Sequence, residues 1–178
     1  MGRKKRFLPF ALILFLTGCA TNPIDFSKAK TVPQEEAVVF GRVNVIYKDE
    51  PKVWGKLSSP GVFNILVLPG GSSEAFLHML REDGSFYWHL PLGSYTISGF
   101  QWTGRGGTRS GRIFAEFTIP ERKSITYIGK LTLIFDRNYS SVMQIEDDFD
   151  QAIQEFKKKF PETKEEPVKN LMKLEVPR

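Results

Sequence analysis

The amino-acid sequence predicts a mainly β protein: an antiparallel β-sandwich of seven or eight strands followed by a C-terminal amphipathic helix. Two observations lead to this prediction. Between residues 37 and 145, short segments alternate apolar and polar side chains with the period of two that is typical of a half-buried strand. After residue 145, the apolar residues recur with the period of a helix. Many short strands separated by turn residues usually pack as two sheets.

The first predicted strand begins at Val38, because Val39, Val43 and Val45 fall on one face. Residues 62–68 are apolar on both faces and lie between Pro-Gly turns, so they predict a central strand.

Two further strands are predicted at residues 75–81 and 85–90, with a hairpin turn at residues 82–84 between them. Trp88 falls on the core face of the second of these strands. His89 falls on the opposite face, which we expect to be polar and outward.

Residues 93–102 predict a strand whose alternation changes phase at Gly99, which indicates a β-bulge. Regular alternation in residues 113–119 and 124–135 predicts the last two strands. Three aromatic residues fall in phase on inward faces and are expected in the core: Trp88, Tyr95 and Phe117.

The helix is predicted from Phe149, Phe156 and Phe160, which recur at helical spacing, and Pro161 ends it. We expect this apolar stripe to cover an open face of the sandwich. The alternative is that it binds a membrane surface or a partner protein. Residues 165–173, within a Lys- and Glu-rich segment, are expected to form another short helix.

The N-terminal residues combine a basic segment, an apolar run and the only cysteine of the chain. Residues 3–6 are all basic, residues 7–16 are mostly apolar, and residues 16–19 end in Cys19. This order resembles the signal peptide of a bacterial lipoprotein, in which residues 16–19 would be the lipobox. The alternative is a transmembrane anchor, but this apolar run is interrupted by Pro9 and is shorter than the roughly 20 residues of a spanning helix. The resemblance implies cleavage before Cys19 and acylation of that cysteine with chains such as palmitate. It also implies a lipid-anchored, periplasm-facing position at the outer membrane.

These patterns divide the chain into a signal peptide at residues 1–18, a lipidated tether at 19–36, a β-sandwich at 37–145 and a helical extension at 146–178.

Cleavage removes four of the 25 Lys and Arg residues and none of the 20 Asp and Glu residues, so the formal charge falls from +5 to +1. A nearly neutral mature chain lacks the basic surface that nucleic-acid binding needs. The single cysteine and two isolated histidines predict neither a disulfide nor a metal site, and we expect no cofactor.

Residues 83–95 form a second recognisable segment, in which Asp-Gly precedes a strand and Leu-Pro-Leu-Gly-Ser-Tyr follows it. The segment resembles the signature of carboxypeptidase-regulatory-like and transthyretin-like domains. The resemblance implies a transthyretin-like or immunoglobulin-like sandwich in a module that is mostly non-catalytic, and small lipoproteins of unknown function carry such domains. At this corner, Pro91 suits a turn, and the Tyr95 hydroxyl is expected to find a backbone partner.

A catalytic triad of Ser85, His89 and Asp83 is not expected. Four strand residues span about 13 Å, so Ser85 and His89 cannot hydrogen-bond within one straight strand.

The candidate binding residues lie between positions 102 and 112, in a Gly-rich segment that we expect to form a mobile loop. Guanidinium groups bind planar anions in a bidentate manner, and an aromatic residue flanks them here. The candidates are Trp102, Arg105, Arg109 and Arg112. The alternative is a solvated loop without a ligand.

The sequence therefore predicts a lipid-anchored, non-catalytic binding or assembly module of the cell envelope. Its partners would be the membrane, through the lipid on Cys19, and an envelope protein, glycan or lipid headgroup. An envelope hydrolase and a purely structural lipoprotein are the alternatives.

Overall fold

A computed structural model describes residues 36–47, 50–51, 61–104, 107–120, 124–136 and 141–175. These residues form two β-sheets and one helix. The elements are β1 (Glu36–Tyr47), β2 (Glu50–Pro51), β3 (Gly61–Pro69), β4 (Phe76–Met79), β5 (Ser85–Pro91), β6 (Gly93–Gly104), β7 (Gly107–Ile119), β8 (Ile125–Phe135), β9 (Ser141–Glu146), α1 (Phe149–Lys159), β10 (Val168–Lys169) and β11 (Lys173–Leu174).

The first sheet is built around β1 and β8, which pair in parallel along most of their length. Strands β5 and β2 pair with the other edge of β1, while β10 and β9 pair with the other edge of β8. The sequence predicted an antiparallel sandwich. The parallel pairing of β1 and β8 shows that the first sheet is mixed. The described residues also form eleven strands rather than seven or eight, three of them only two residues long. Alternation assigns side chains to a face, but it does not specify which distant strand becomes the neighbour.

The second sheet has the order β11-β7-β6-β3-β4, and its neighbouring strands are antiparallel. The predicted irregularity at Gly99 is confirmed, because the register of β6 shifts beside this residue against both of its neighbours.

The predicted hairpin at residues 82–84 is wrong, because β4 belongs to the second sheet and β5 to the first. This turn instead carries the chain from one sheet to the other. Gly84 in this turn has a positive φ of 70°. A Cβ at Gly84 would lie 2.0 Å from the Val43 carbonyl oxygen, so the crossing requires a residue without a side chain.

The main hydrophobic core lies between the two sheets, and all three predicted core aromatics are buried there. The ring of Phe117 stacks on Tyr95 at 5.4 Å and lies 6.4 Å from Trp88. The Tyr95 hydroxyl donates a hydrogen bond of 2.8 Å to the Pro91 carbonyl oxygen. The expected backbone partner at this corner is therefore confirmed.

Helix α1 covers the outer face of the first sheet, which confirms the expected docking of its apolar stripe. Phe156 is buried, and its ring lies 4.7 Å from Phe40 and 6.1 Å from Tyr87. Tyr87 is buried beneath the helix, and His89 is buried on the same face of β5, contrary to the predicted polar outward face. Alternation distinguishes the two faces of a strand, but it does not reveal a second layer packed on one of them.

The segment after α1 is extended, so the predicted second helix at residues 165–173 is wrong. The amides of Asn170 and Met172 donate to the carbonyl oxygens of Tyr127 and Ile128. The chain then pairs with β7 through β11. Met172 is buried in the core between the sheets. We call residues 168–175 the bridging segment, because they join an edge of the first sheet to an edge of the second.

Candidate functional site

The segment predicted as a mobile loop is instead the end of a long β-hairpin. Strands β6 and β7 continue pairing up to Gly104 and Gly107, and Trp102 lies opposite Arg109. The glycines and polar residues of this segment suggested a loop, but cross-strand hydrogen bonding keeps the backbone extended. Arg105, the fourth predicted binding residue, lies outside the described residues.

This hairpin forms one wall of a groove of about 340 Å³ between the two sheets. The structure thus brings together three of the four predicted binding residues. The lining residues are Phe100, Trp102, Arg109, Ser110, Gly111, Arg112, Phe135 and Ser141.

Aromatic rings form the floor of the groove and are held by the core. The ring of Phe100 stacks on Phe63 at 5.4 Å and meets Phe135 edge-on at 5.1 Å. Trp102 is partly buried and packs edge-on against Tyr47 at 5.6 Å. These contacts fix the apolar surface before any ligand arrives, which lowers the ordering cost of binding.

Gly111 allows the ring of Phe100 to lie directly against the backbone of β7. These two residues are paired across the strands, and a Cβ at Gly111 would lie 2.3 Å from the ring. Any larger residue at this position would displace Phe100 and change the shape of the groove.

The charged rim of the groove is basic. Both Arg109 and Arg112 are exposed, and the described lining contains no carboxylate. Opposed residues on paired strands have Cβ atoms about 5 Å apart, so the Arg109 guanidinium can act together with the Trp102 ring. This combination suits a ligand with an apolar part and a carboxylate or phosphate group.

Three of the lining residues lie outside the segment that the sequence predicted to bind a ligand. Phe100 has the same phase as Trp102 on β6, so the alternation beyond Gly99 contained the signal for it. Phe135 and Ser141 come from the other sheet, and no local pattern places them beside the hairpin.

The polar residues considered for catalysis have separate partners. The Ser85 hydroxyl donates to a carboxylate oxygen of Asp83 at 2.7 Å, whereas His89 Nδ1 lies 3.5 Å from a carboxylate oxygen of Glu36. Burial raises the pKa of Asp83, but the hydrogen bonds from Ser85 and the charges of Arg42 and Lys159 together hold the pKa below its usual value. The carboxylate that contacts Ser85 is therefore an acceptor that fixes a turn.

Within the described ranges, no three His, Cys, Asp or Glu residues are grouped closely enough to hold a metal ion. In that same part of the chain, no helix has both the length and the hydropathy required to span a bilayer. Cys19, the predicted lipidation site, precedes the described residues.

No family model and no curated protein matches this chain.

Proposed function

We propose that this chain is a lipid-anchored, non-catalytic binding protein of the bacterial cell envelope, and that the groove binds an anionic ligand. The observation that carries the binding proposal is the groove itself, in which an aromatic floor lies beside two exposed arginines. The resemblance of residues 16–19 to a lipobox supports the proposed anchor on Cys19 at the outer membrane, facing the periplasm.

The proposed ligand carries carboxylate or phosphate groups and an apolar surface. An envelope protein, an anionic glycan and a lipid headgroup all offer such groups. A guanidinium binds them through two parallel hydrogen bonds, and an aromatic ring supplies contact area at low entropic cost. The volume of about 340 Å³ lies at the lower end of the range for ligand sites, about 300–1,000 Å³.

A binding role is supported over a hydrolytic one by the positions of the polar residues. A hydrolase needs a nucleophile within hydrogen-bonding reach of its base, beside donors for an oxyanion. The hydroxyl of Ser85 is instead bound to Asp83, and His89 lies beside Glu36. The two serines that line the groove have no histidine beside them among its lining residues.

The test removes the two charges from the groove. Full-length protein in detergent is passed over immobilised cell-wall glycan, lipopolysaccharide and periplasmic protein. We expect at least one of these fractions to retain the wild type, and retention to fall as salt rises, because exposed charges are screened over about 8–10 Å. The double variant Arg109→Ser/Arg112→Ser should be retained about tenfold less well, with an unchanged thermal midpoint, because two exposed ion pairs of up to about 1 kcal/mol each together reach the roughly 1.4 kcal/mol of a tenfold change.

The double variant Lys158→Ser/Lys164→Ser is the matched control. It removes two exposed cations from α1 and from the segment that follows it, outside the groove lining. Its retention should equal that of the wild type. Equal retention of the arginine variant and the control would contradict the proposal and favour a purely structural role.

A further inference from the structure

The bridging segment shows how the space between the two sheets accepts an extended chain. It pairs with β8 through β10 and with β7 through β11, and between these pairings Met172 is inserted into the core with 3% of its surface exposed. Backbone hydrogen bonds thus hold a strand at the sheet edges, and one apolar side chain fills the space between the sheets.

The groove lies directly beyond this segment along the same edge. Strand β11 runs antiparallel to β7 and contacts it at Glu116 and Ala115, after which the Glu175 amide donates to the Phe114 carbonyl oxygen at 2.7 Å. This direction leads towards Arg112 and the lining of the groove. Among the described residues, no strand pairs with the edge of β7 between positions 107 and 113.

We infer that the ligand of the groove is an extended peptide segment of a partner protein that adds as a strand to this edge of β7. This inference rests on the proposed function and names the class of its ligand. Every second side chain of the added strand would enter the groove over Phe100 and Phe135, as Met172 enters the adjoining core.

The charge of the partner segment follows from the residues on β7. Ile113 is fully buried whereas its neighbour Arg112 is exposed, so Arg112 faces the solvent side of an added strand. An acidic residue opposite Arg112 would form a cross-strand ion pair. The segment is therefore expected to place one acidic residue opposite Arg112 and apolar residues at the alternating positions that enter the groove. A glycan would use the arginines and the rings, but it could not supply the regular backbone pairing that an open strand edge accepts.

The probe is a phage-displayed library of random twelve-residue peptides, selected against the full chain in detergent. We expect enriched peptides to carry one Asp or Glu flanked by apolar residues. Fluorescence anisotropy of the most enriched synthetic peptide should show about tenfold weaker binding to Arg112→Glu, because like charges then face each other. The charge-matched control Lys158→Glu, on α1, should bind as the wild type does.

Hydrogen exchange distinguishes strand addition from side-chain contact. On peptide binding, amides between positions 107 and 113 should become protected from exchange, because an added strand hydrogen-bonds to the edge of β7.

If peptides are not enriched but cell-wall glycan or lipopolysaccharide is retained through the arginines, the peptide inference is overturned and the proposed function stands. If neither kind of ligand binds, both fail. Protection already present in the free chain, and lost on removal of residues 176–178, would make the chain's own end the occupant and overturn the inference.

Discussion

At the scale of single residues, His89 combines burial with a neighbouring carboxylate. Its side chain is 1% exposed, and Nδ1 lies 3.5 Å from an oxygen of Glu36. Burial disfavours the charged imidazolium and lowers the pKa of His89, and the opposing charge of Glu36 does not restore its usual value. The unfolded chain, with a histidine pKa of about 6.5, therefore binds more protons than the folded chain as the pH falls through this region.

The free energy of unfolding should consequently decrease as the pH is lowered from about 7.5 to about 5.5, and His89→Gln should flatten this dependence. Three carboxylates with lowered pKa values also stabilise the fold less on acidification. Their stabilisation is lost only at lower pH, because the ordinary pKa values from which theirs are lowered are already 3.8 for Asp83 and Asp147 and 4.5 for Glu146. Urea unfolding across this pH range provides the measurement. Lys158→Gln, at an exposed position on α1, is the control and should leave the pH dependence of the free energy of unfolding unchanged. The explanation fails if His89→Gln keeps the full pH dependence of the wild type.

At the scale of secondary-structure elements, α1 acts as a third layer over the first sheet. Phe156 contacts Phe40, Tyr87 and Phe160, with ring separations of 4.7, 6.1 and 5.0 Å. At the rim of this layer, the Arg42 guanidinium meets the Glu155 carboxylate at 2.5 Å. The strands beneath α1 are consequently buried on both faces.

Phe156→Ala should lower the free energy of unfolding by about 3–5 kcal/mol, the usual cost of truncating a buried Phe. Lys158→Ala changes an exposed position on the same helix and should shift it by less than about 0.5 kcal/mol. Denaturant titration of the full chain measures both values. Equal, small losses in the two variants would mean that the stripe is not docked on the sheet, and would favour its binding to a membrane surface or a partner.

Sequence patterns predicted the elements whose side chains alternate regularly, and they failed where distant parts of the chain decide the conformation. The strand faces, the irregularity at Gly99 and the helix ending before Pro161 follow from local periodicity. The extended bridging segment does not, because sheet edges that are distant in sequence override its own helical preference. The groove could be predicted only in part. Its arginines and Trp102 are close together in one hairpin, so the sequence grouped them, whereas Phe135 comes from the other sheet and no local pattern places it there.

At the scale of the whole molecule, the groove and the start of the described chain lie at opposite ends of the sandwich. Strand β1 begins at Glu36 and reaches the groove end at Tyr47, whose ring packs on Trp102. Twelve extended residues span roughly 36 Å. A lipid on Cys19 would therefore attach the chain through the end that lies away from the groove.

This arrangement depends on acylation of Cys19, which we expect because residues 16–19 resemble a lipobox. Three acyl chains, each contributing about 0.8 kcal/mol per buried CH₂, would hold the protein in the bilayer far more firmly than the marginal binding of a single chain. Mass spectrometry of membrane-purified protein should find a mature N-terminus at an acylated Cys19. Cys19→Ser is the matched control and should retain residues 1–18, because the peptidase acts on the lipid-modified cysteine. A wild-type protein that begins at Met1 and carries an unmodified Cys19 would support the transmembrane anchor instead, and the proposed attachment through acyl chains on Cys19 would be wrong.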